Sequence, residues 1–186
     1  MENLLQNNYT DFFVRALDNV GKEYYKVKTT YGEIVRERVF CYELYHQMRM
    51  IQDKYELTNI SLSAEIDKRG HNGFKRRDQK NPDFVFHQYG TFKRNEIVIE
   101  VKGSLGRGIF KDFETLSVYC NRYQYKHAYF ILYNSNVNQL IDYISANKEY
   151  AKQRIKWLMS HVTIICKKGF DSSCEVYNAI ELFTEI

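Results

Sequence analysis

Asn81-Pro82-Asp83-Phe84-Val85-Phe86-His87, a turn through Gly90, and then Glu96-Ile97-Val98-Ile99-Glu100-Val101-Lys102-Gly103 form the stretch on which the fold turns. Both runs are rich in β-branched and aromatic residues and predict two strands. Alternate side chains of a strand point to opposite faces. Glu100 and Lys102 therefore share a face with Val98, while Ile97, Ile99 and Val101 look the other way. Asp83 opens the first strand, with Val85 on its face. Pairing the two runs as a hairpin brings Asp83 beside Glu100, so that two carboxylates and one ammonium converge.

Working outward, Met1 to Val20 carries a helical stripe of Leu4, Leu5, Phe12, Phe13, Ala16 and Leu17, stopped by Gly21. Lys22 to Thr30 reads as a short strand or an extended arm, and Tyr31-Gly32 as a turn. Glu33 to about Tyr55 predicts a second helix, with Phe40, Leu44, Met48, Ile51 and Tyr55 on its core face. Leu57 to Asp67 predicts a strand, with Ile60, Leu62, Ala64 and Ile66 on one face and Ser61, Ser63, Glu65 and Asp67 on the other. Downstream, Ile109 to Asn121 predicts a helix marked by Phe113, Leu116 and Cys120.

His127 to Tyr133 is a nearly continuous apolar run, as expected of a strand covered on both faces. A strand, a helix and a buried strand in that order predict a right-handed parallel crossover, and hence a mixed sheet. Asn136 and Gln139 have capping-box spacing and open a helix running to about Leu158, with a break near Asn147. His161 to Cys166 predicts a late strand, and Cys174 to Phe183 a last strand or short helix. No linker, repeat or low-complexity tract divides the chain. The expectation is one α/β domain over residues 1–186, with an N-terminal helical extension over about 1–32.

A chain of 186 residues with 44% hydrophobic residues is large enough for a sizeable core and is not a disordered polymer. Sixteen Tyr and 12 Phe stand against one Trp, an aromatic load that a core and a stacking surface can both use. The net charge of +4 permits a polyanionic partner without requiring one. Cys41, Cys120, Cys166 and Cys174 lack CxxC or metal-finger spacing, so free thiols in a reducing cytoplasm are expected. No secretory leader pattern opens the sequence and no apolar run approaches a bilayer span, so a soluble cytoplasmic protein with no membrane partner is expected.

The convergent carboxylates suit Mg²⁺, which takes oxygen ligands and is often held by one or two carboxylates. A neighbouring Lys can hold an attacking water or offset developing charge. Pro82-Asp83 followed by Glu100-Val101-Lys102 resembles the PD-(D/E)XK motif of the restriction-endonuclease-like nuclease superfamily. The resemblance in element order covers most of the chain, from about Glu33 to Cys166, although the specific motif is short. It implies a three-layer α/β/α sandwich with a central mixed β-sheet. It implies metal ligands at Asp83, Glu100 and the Val101 carbonyl, and a catalytic role for Lys102. Many nucleases of this superfamily also carry a Glu on the first core helix, which points to Glu43; Glu65 on the following strand is the other candidate for an upstream acidic ligand. The bland alternatives are a contact of Glu43 with His46 or Gln47 one turn on, and structural pairs for both acids.

The segment from Lys68 to Lys80 is the most basic, with Lys68, Arg69, Lys75, Arg76 and Arg77 leading into Asp83. Such runs are usually solvated loops. Placed here, they and Arg107 are expected to hold a nucleic-acid backbone through phosphate contacts. Gly103-Ser104-Leu105-Gly106-Arg107-Gly108 lacks the Gly-Lys-Ser/Thr ending of a nucleotide P-loop, which excludes ATP binding on that motif. The resulting expectation is an Mg²⁺-dependent endonuclease acting on DNA, with Mn²⁺ able to substitute. RNA cleavage and a non-catalytic nucleic-acid-binding or assembly module on the same fold are the alternatives. A homodimer that cuts both strands is common among such nucleases, but no residue pattern marks an interface.

Overall fold

The computed structural model describes residues 9–55, 60–64, 81–88, 94–154 and 162–184. Helix α1 (Tyr9–Asn19) and the short α2 (Lys22–Tyr25) precede a hairpin of β1 (Val27–Thr29) and β2 (Gly32–Ile34). Then come α3 (Glu37–Lys54), β3 (Ser61–Ala64), β4 (Phe84–His87), β5 (Asn95–Lys102), α4 (Gly108–Tyr123) and β6 (His127–Tyr133). Helices α5 (Val137–Ala146) and α6 (Lys148–Arg154), strands β7 (Val162–Lys167) and β8 (Glu175–Asn178), and helix α7 (Ala179–Thr184) complete the chain.

Strands β3 to β8 form a six-stranded sheet in sequence order. The β3–β4, β4–β5 and β7–β8 pairs are antiparallel, and the β5–β6 and β6–β7 pairs are parallel. The mixed sheet expected from the hairpin and the crossover is thus present. Its faces divide as strand alternation requires: Ile97, Ile99 and Val101 pack with Phe12, Phe13, Phe40 and Leu44 of α1 and α3. Val85 and Val98 pack with Phe113, Leu116 and Leu140 of α4 and α5. Helices cover both faces, so every residue of β5 except Lys102 is buried.

Several boundaries move from their expected places for physical reasons. The short strand or extended arm expected over Lys22–Thr30 is a four-residue helix followed by the short strand β1, which turns through Thr30 and Tyr31 into β2. Gly32 sits at φ +113°, a conformation that favours glycine. Because β2 uses residues up to Ile34, α3 begins at Glu37 rather than Glu33. Tyr55 caps the end of α3 and is exposed instead of joining the core. On edge strand β3, Leu62 and Ser63 are buried while Ala64 is exposed.

The capping box at Asn136 and Gln139 forms in both directions, and the helix it opens ends at Asn147 before α6 starts. The region read as a last strand or helix contains both, β8 then α7. All four cysteines are free. No helix among the described residues is long and apolar enough to cross a membrane.

Candidate active site

The site begins where β4 has not yet started. The register aligns Phe84 with Ile99, so Asp83, one residue earlier, lies by Glu100 at the mouth of the hairpin. With no strand residue opposite it on that side, the Val101 N–H donates to Asp83 Oδ2 at 2.7 Å. The Asp83 carboxyl lies beside that of Glu100, which is only 6% exposed. Two carboxylates so close together disfavour each other's charge.

Burial first, and the Asp83 carboxylate second, hold Glu100 well above the usual carboxylate range. Burial likewise raises Asp83 to about 6, against the lowering effect of the Val101 N–H and the Lys102 charge. Lys102 is the counter-charge. Its Nζ lies 3.0 Å from Glu37 Oε1, 3.3 Å from Asp112 Oδ2 and 3.3 Å from the Val101 carbonyl. Burial alone lowers the ammonium's pKa, but Asp112 and Glu37 outweigh it and the net shift is upward. Asp112 is raised by burial, partly offset by Lys102.

Each partner is delivered by local structure. Glu37 stands in the first turn of α3, where a carboxylate also favours the helix dipole, and its Oε2 accepts the Gly103 N–H at 3.4 Å. Cys41 follows one turn later on the same side of α3, buried and within electrostatic reach of Asp83, Glu37 and Lys102; burial pushes its thiol up, so it stays protonated. Asp112 comes from the buried side of α4 with Ile109, Phe113 and Leu116. Its Oδ2, 3.3 Å from Lys102 Nζ, forms an ion pair but makes no aligned hydrogen bond to any partner.

Asp83, Glu100 and Lys102, singled out by the motif, are therefore brought together. Glu43 is not the helix acid that reaches them. It accepts from Gln47 Nε2 at 2.6 Å, one turn along, and Glu37 takes the place by Lys102. Helical rotation of about 100° per residue separates the two positions by roughly 240°, so they project from different faces. Glu65, Lys68, Arg69, Lys75, Arg76 and Arg77 lie outside the described residues. Arg107 is exposed, with its guanidinium 5.6 Å from the Tyr150 ring centre in cation–π geometry.

The residues present fit a hard divalent cation. Four carboxyl groups meet one ammonium in a largely buried setting, and buried negative charge must be neutralised by protons or cations. Asp112 Oδ2 faces that deficit with the Lys102 ammonium as its one ion-pair partner among the described residues. All available donors are oxygens, as Mg²⁺ prefers. No group of three or more His, Cys, Asp and Glu among the described residues forms a ready-made metal cluster. The candidate set is instead two carboxylates, Asp83 and Glu100, with one carbonyl, Val101.

Gly103 closes the site. A Cβ there would overlap the Tyr133 hydroxyl and ring and the Val35 side chain. Tyr133 has nowhere to retreat, because it stacks on Phe40 at 3.7 Å between ring centres. Gly103→Ala is expected to lower stability by about 1–3 kcal/mol, the usual range for overpacking. Urea denaturation with an unchanged m-value checks this. An unchanged midpoint means that the loop absorbs the methyl.

Comparison with protein-family models, with curated proteins and with solved structures finds no match for this chain.

Proposed function

We propose that this chain is a divalent-metal-dependent nuclease that hydrolyses phosphodiester bonds, with DNA as the first substrate to test. The observation that carries the reading is the meeting of Asp83, Glu100 and Lys102 at one end of β5, under two further acids. Their order along the chain resembles the PD-(D/E)XK pattern, and the restriction-endonuclease-like form of the sandwich belongs to the same proposal. Asp83, Glu100 and the Val101 carbonyl would hold Mg²⁺ or Mn²⁺. Such an ion supplies a water of lowered pKa and neutralises charge on the scissile phosphate.

Lys102 has a narrower task than its position alone suggests. Glu37 and Asp112 keep it charged, so it cannot serve as the base that takes a proton from water. It can donate. One of its three N–H groups, released from the Val101 carbonyl, reaches an attacking water or a phosphate oxygen. Glu37 and Asp112 act through Lys102 by fixing its position and charge. The test is cleavage of plasmid, single-stranded DNA and RNA with Mg²⁺, Mn²⁺ or EDTA. Metal-dependent products support hydrolysis; nucleic-acid binding without cleavage under every metal favours the non-catalytic module.

The raised carboxyl groups set a pH dependence. A group whose folded pKa lies above its unfolded value adds stability that is complete below the unfolded pKa and is lost as pH rises through the folded one. For Asp83 that window runs from about 4 to about 6. The metal-free protein is therefore expected to lose melting temperature as pH rises from about 4 through 6, and the raised Glu100 carboxyl adds to the loss. The increase produced by Mn²⁺ is expected to grow over the same range, since metal competes with protons for the raised carboxyl groups. Melting curves in EDTA and in excess Mn²⁺ at several pH values check both trends. A Mn²⁺ effect independent of pH would remove Asp83 and Glu100 as the ligands.

A further inference from the structure

The parallel strands β5, β6 and β7 end along one edge of the sheet, and the candidate site occupies only the β5 end. At the β6 and β7 ends lies a separate cleft of about 1000 Å³. One wall is the α2–β1 segment, with Lys22, Tyr24 and Lys26; the other is the β7–β8 turn, with Lys168 and Phe170; Asn134 lies between them, and the acids Glu23, Glu33 and Asp171 also line the cleft. Cleft and site adjoin. Val39 lines the cleft from the first turns of the helix whose Glu37 holds Lys102. Tyr133, against Gly103, immediately precedes Asn134. Two strand spacings, roughly 10 Å, separate the β5 and β7 ends.

The walls are held rigidly. Asn134 Nδ2 donates to the Tyr25 carbonyl at 2.9 Å, and Asn134 N–H to the Lys167 carbonyl at 2.9 Å. Lys167 is 3% exposed, and its Nζ pairs with Asp18 at 2.8 Å and donates to the Ser172 carbonyl. Ser172 in turn exchanges hydrogen bonds with Gly169 at both its N–H and its carbonyl. This turn presents Phe170 to solvent, 42% exposed, two residues after Lys168. A large apolar ring displayed on so firmly pinned a turn loses little entropy on gaining a partner. No ion pair between described residues engages Lys22, Lys26 or Lys168, whereas Lys28 lies directly across the hairpin from Glu33.

We propose that this cleft binds a single-stranded polynucleotide segment, with a base stacked on Phe170 and phosphates against Lys22, Lys26 and Lys168. The proposal deepens the nuclease reading and rests on it for where the scissile phosphate lies. It names the substrate as a strand that is unpaired on one side of the cut. A cleft of this volume has the size of a small-ligand pocket, enough to seat one or two unpaired nucleotides. Stacking rings among lysines are how proteins hold unpaired strands without reading sequence.

The test is fluorescence anisotropy in EDTA, with a labelled mixed-sequence single strand as DNA and as RNA, and with the matched duplex. The wild-type protein is expected to bind the single strand at least tenfold more tightly than the duplex. Phe170→Ala is expected to weaken single-strand binding by about 5- to 150-fold, the range for one lost stacked base, and to leave duplex binding unchanged. Phe170→Tyr keeps a ring and is expected to restore binding. Lys26→Glu with Lys168→Glu is expected to weaken binding and flatten its salt dependence. Overlapping melting curves for the Phe170 variants serve as the folding control.

Equal affinity for the two forms, no binding at all, or wild-type binding by Phe170→Ala overturns the proposal. Metal is absent from the binding assay, so the two readings fail separately. Binding in the cleft without cleavage under any metal overturns hydrolysis and leaves the cleft standing. Metal-dependent cleavage of a duplex that Phe170→Ala does not alter, with unchanged single-strand affinity, does the reverse.

Discussion

Lys102→Met is expected to lower metal-dependent cleavage by about 10²- to 10³-fold, the cost of removing one charge-stabilising donor from a reaction centre. Methionine keeps most of the side chain's length and removes only the charge and its three donors. The ammonium of Lys102 stands within 3.3 Å of Glu37, Asp112 and the Val101 carbonyl, so its loss leaves the acids of the site without their counter-charge. Metal-free stability is expected to fall by about 2 kcal/mol, less than the 3–5 typical of a fully buried pair because the Glu37 side chain is 39% exposed.

Binding of Mn²⁺ should respond in the opposite direction. The proposed ligands remain and a repelling ammonium is gone, so the Mn²⁺-induced rise in melting temperature at pH 8 is expected to be kept or enlarged. Loss of cleavage with a kept metal response separates a positioning donor from a structural support. Lys102→Arg keeps the charge but changes its shape, and partial recovery of cleavage is expected. Cleavage at the wild-type rate by Lys102→Met would remove Lys102 from the mechanism.

The central hairpin was readable because a two-sided buried strand has a strict period. Placing Val98 and Glu100 opposite Ile97 and Ile99 needs only the pleat, and the two cores divide at those residues. The same alternation set Asp83 beside Glu100. The capping box at Asn136 was equally local, since both hydrogen bonds lie within four residues. Glu37 escaped for a comparable reason. Helix α3 begins after Arg36, whose side chain makes no capping bond, so no Ser, Thr, Asp or Asn signal marks the start. The periodic pattern ran back to Glu33, and the first-turn acid was lost among interior residues.

Asp112 was hidden by its neighbours. Lys111 beside it suggests a solvated face, and the stripe read from Phe113, Leu116 and Cys120 began too late. Including Ile109 puts Asp112 at the i+3 position of the buried side, four residues before Leu116, where a carboxylate needs a partner. Asking which acids fall on an apolar stripe would have found it. Nothing local could have linked it to Lys102, because that contact depends on how α4 packs across β5. The Phe170 turn was beyond reach too: its lysine anchor is satisfied by Asp18, far away in sequence.

Glu100→Gln is expected to stabilise the metal-free protein at pH 8 while removing its response to metal. At that pH the wild type must either bury a second charge beside Asp83 or hold a proton that solution favours removing. The amide does neither, and its NH₂ can donate to the neighbouring Asp83 carboxylate. Replacing buried ionic groups by neutral residues of similar volume is often neutral or stabilising, by up to about 4 kcal/mol for a whole buried pair. A gain of about 2 kcal/mol corresponds to roughly 4–8 °C in a chain of this size. The sign depends on pH. Below the range in which Asp83 titrates, at about 6, the wild-type pair carries its proton and the two proteins should melt together; above it the curves should separate. Cleavage is expected to fall by about 10³-fold or more, because several kcal/mol of charge neutralisation at the phosphate depends on the ligand that is lost. Together, greater stability, a lost Mn²⁺ shift and lost cleavage identify Glu100 as a residue kept for function at a cost to folding. A variant less stable than wild type at pH 8 that still responds to Mn²⁺ would make Glu100 a buried structural acid and move the metal site elsewhere.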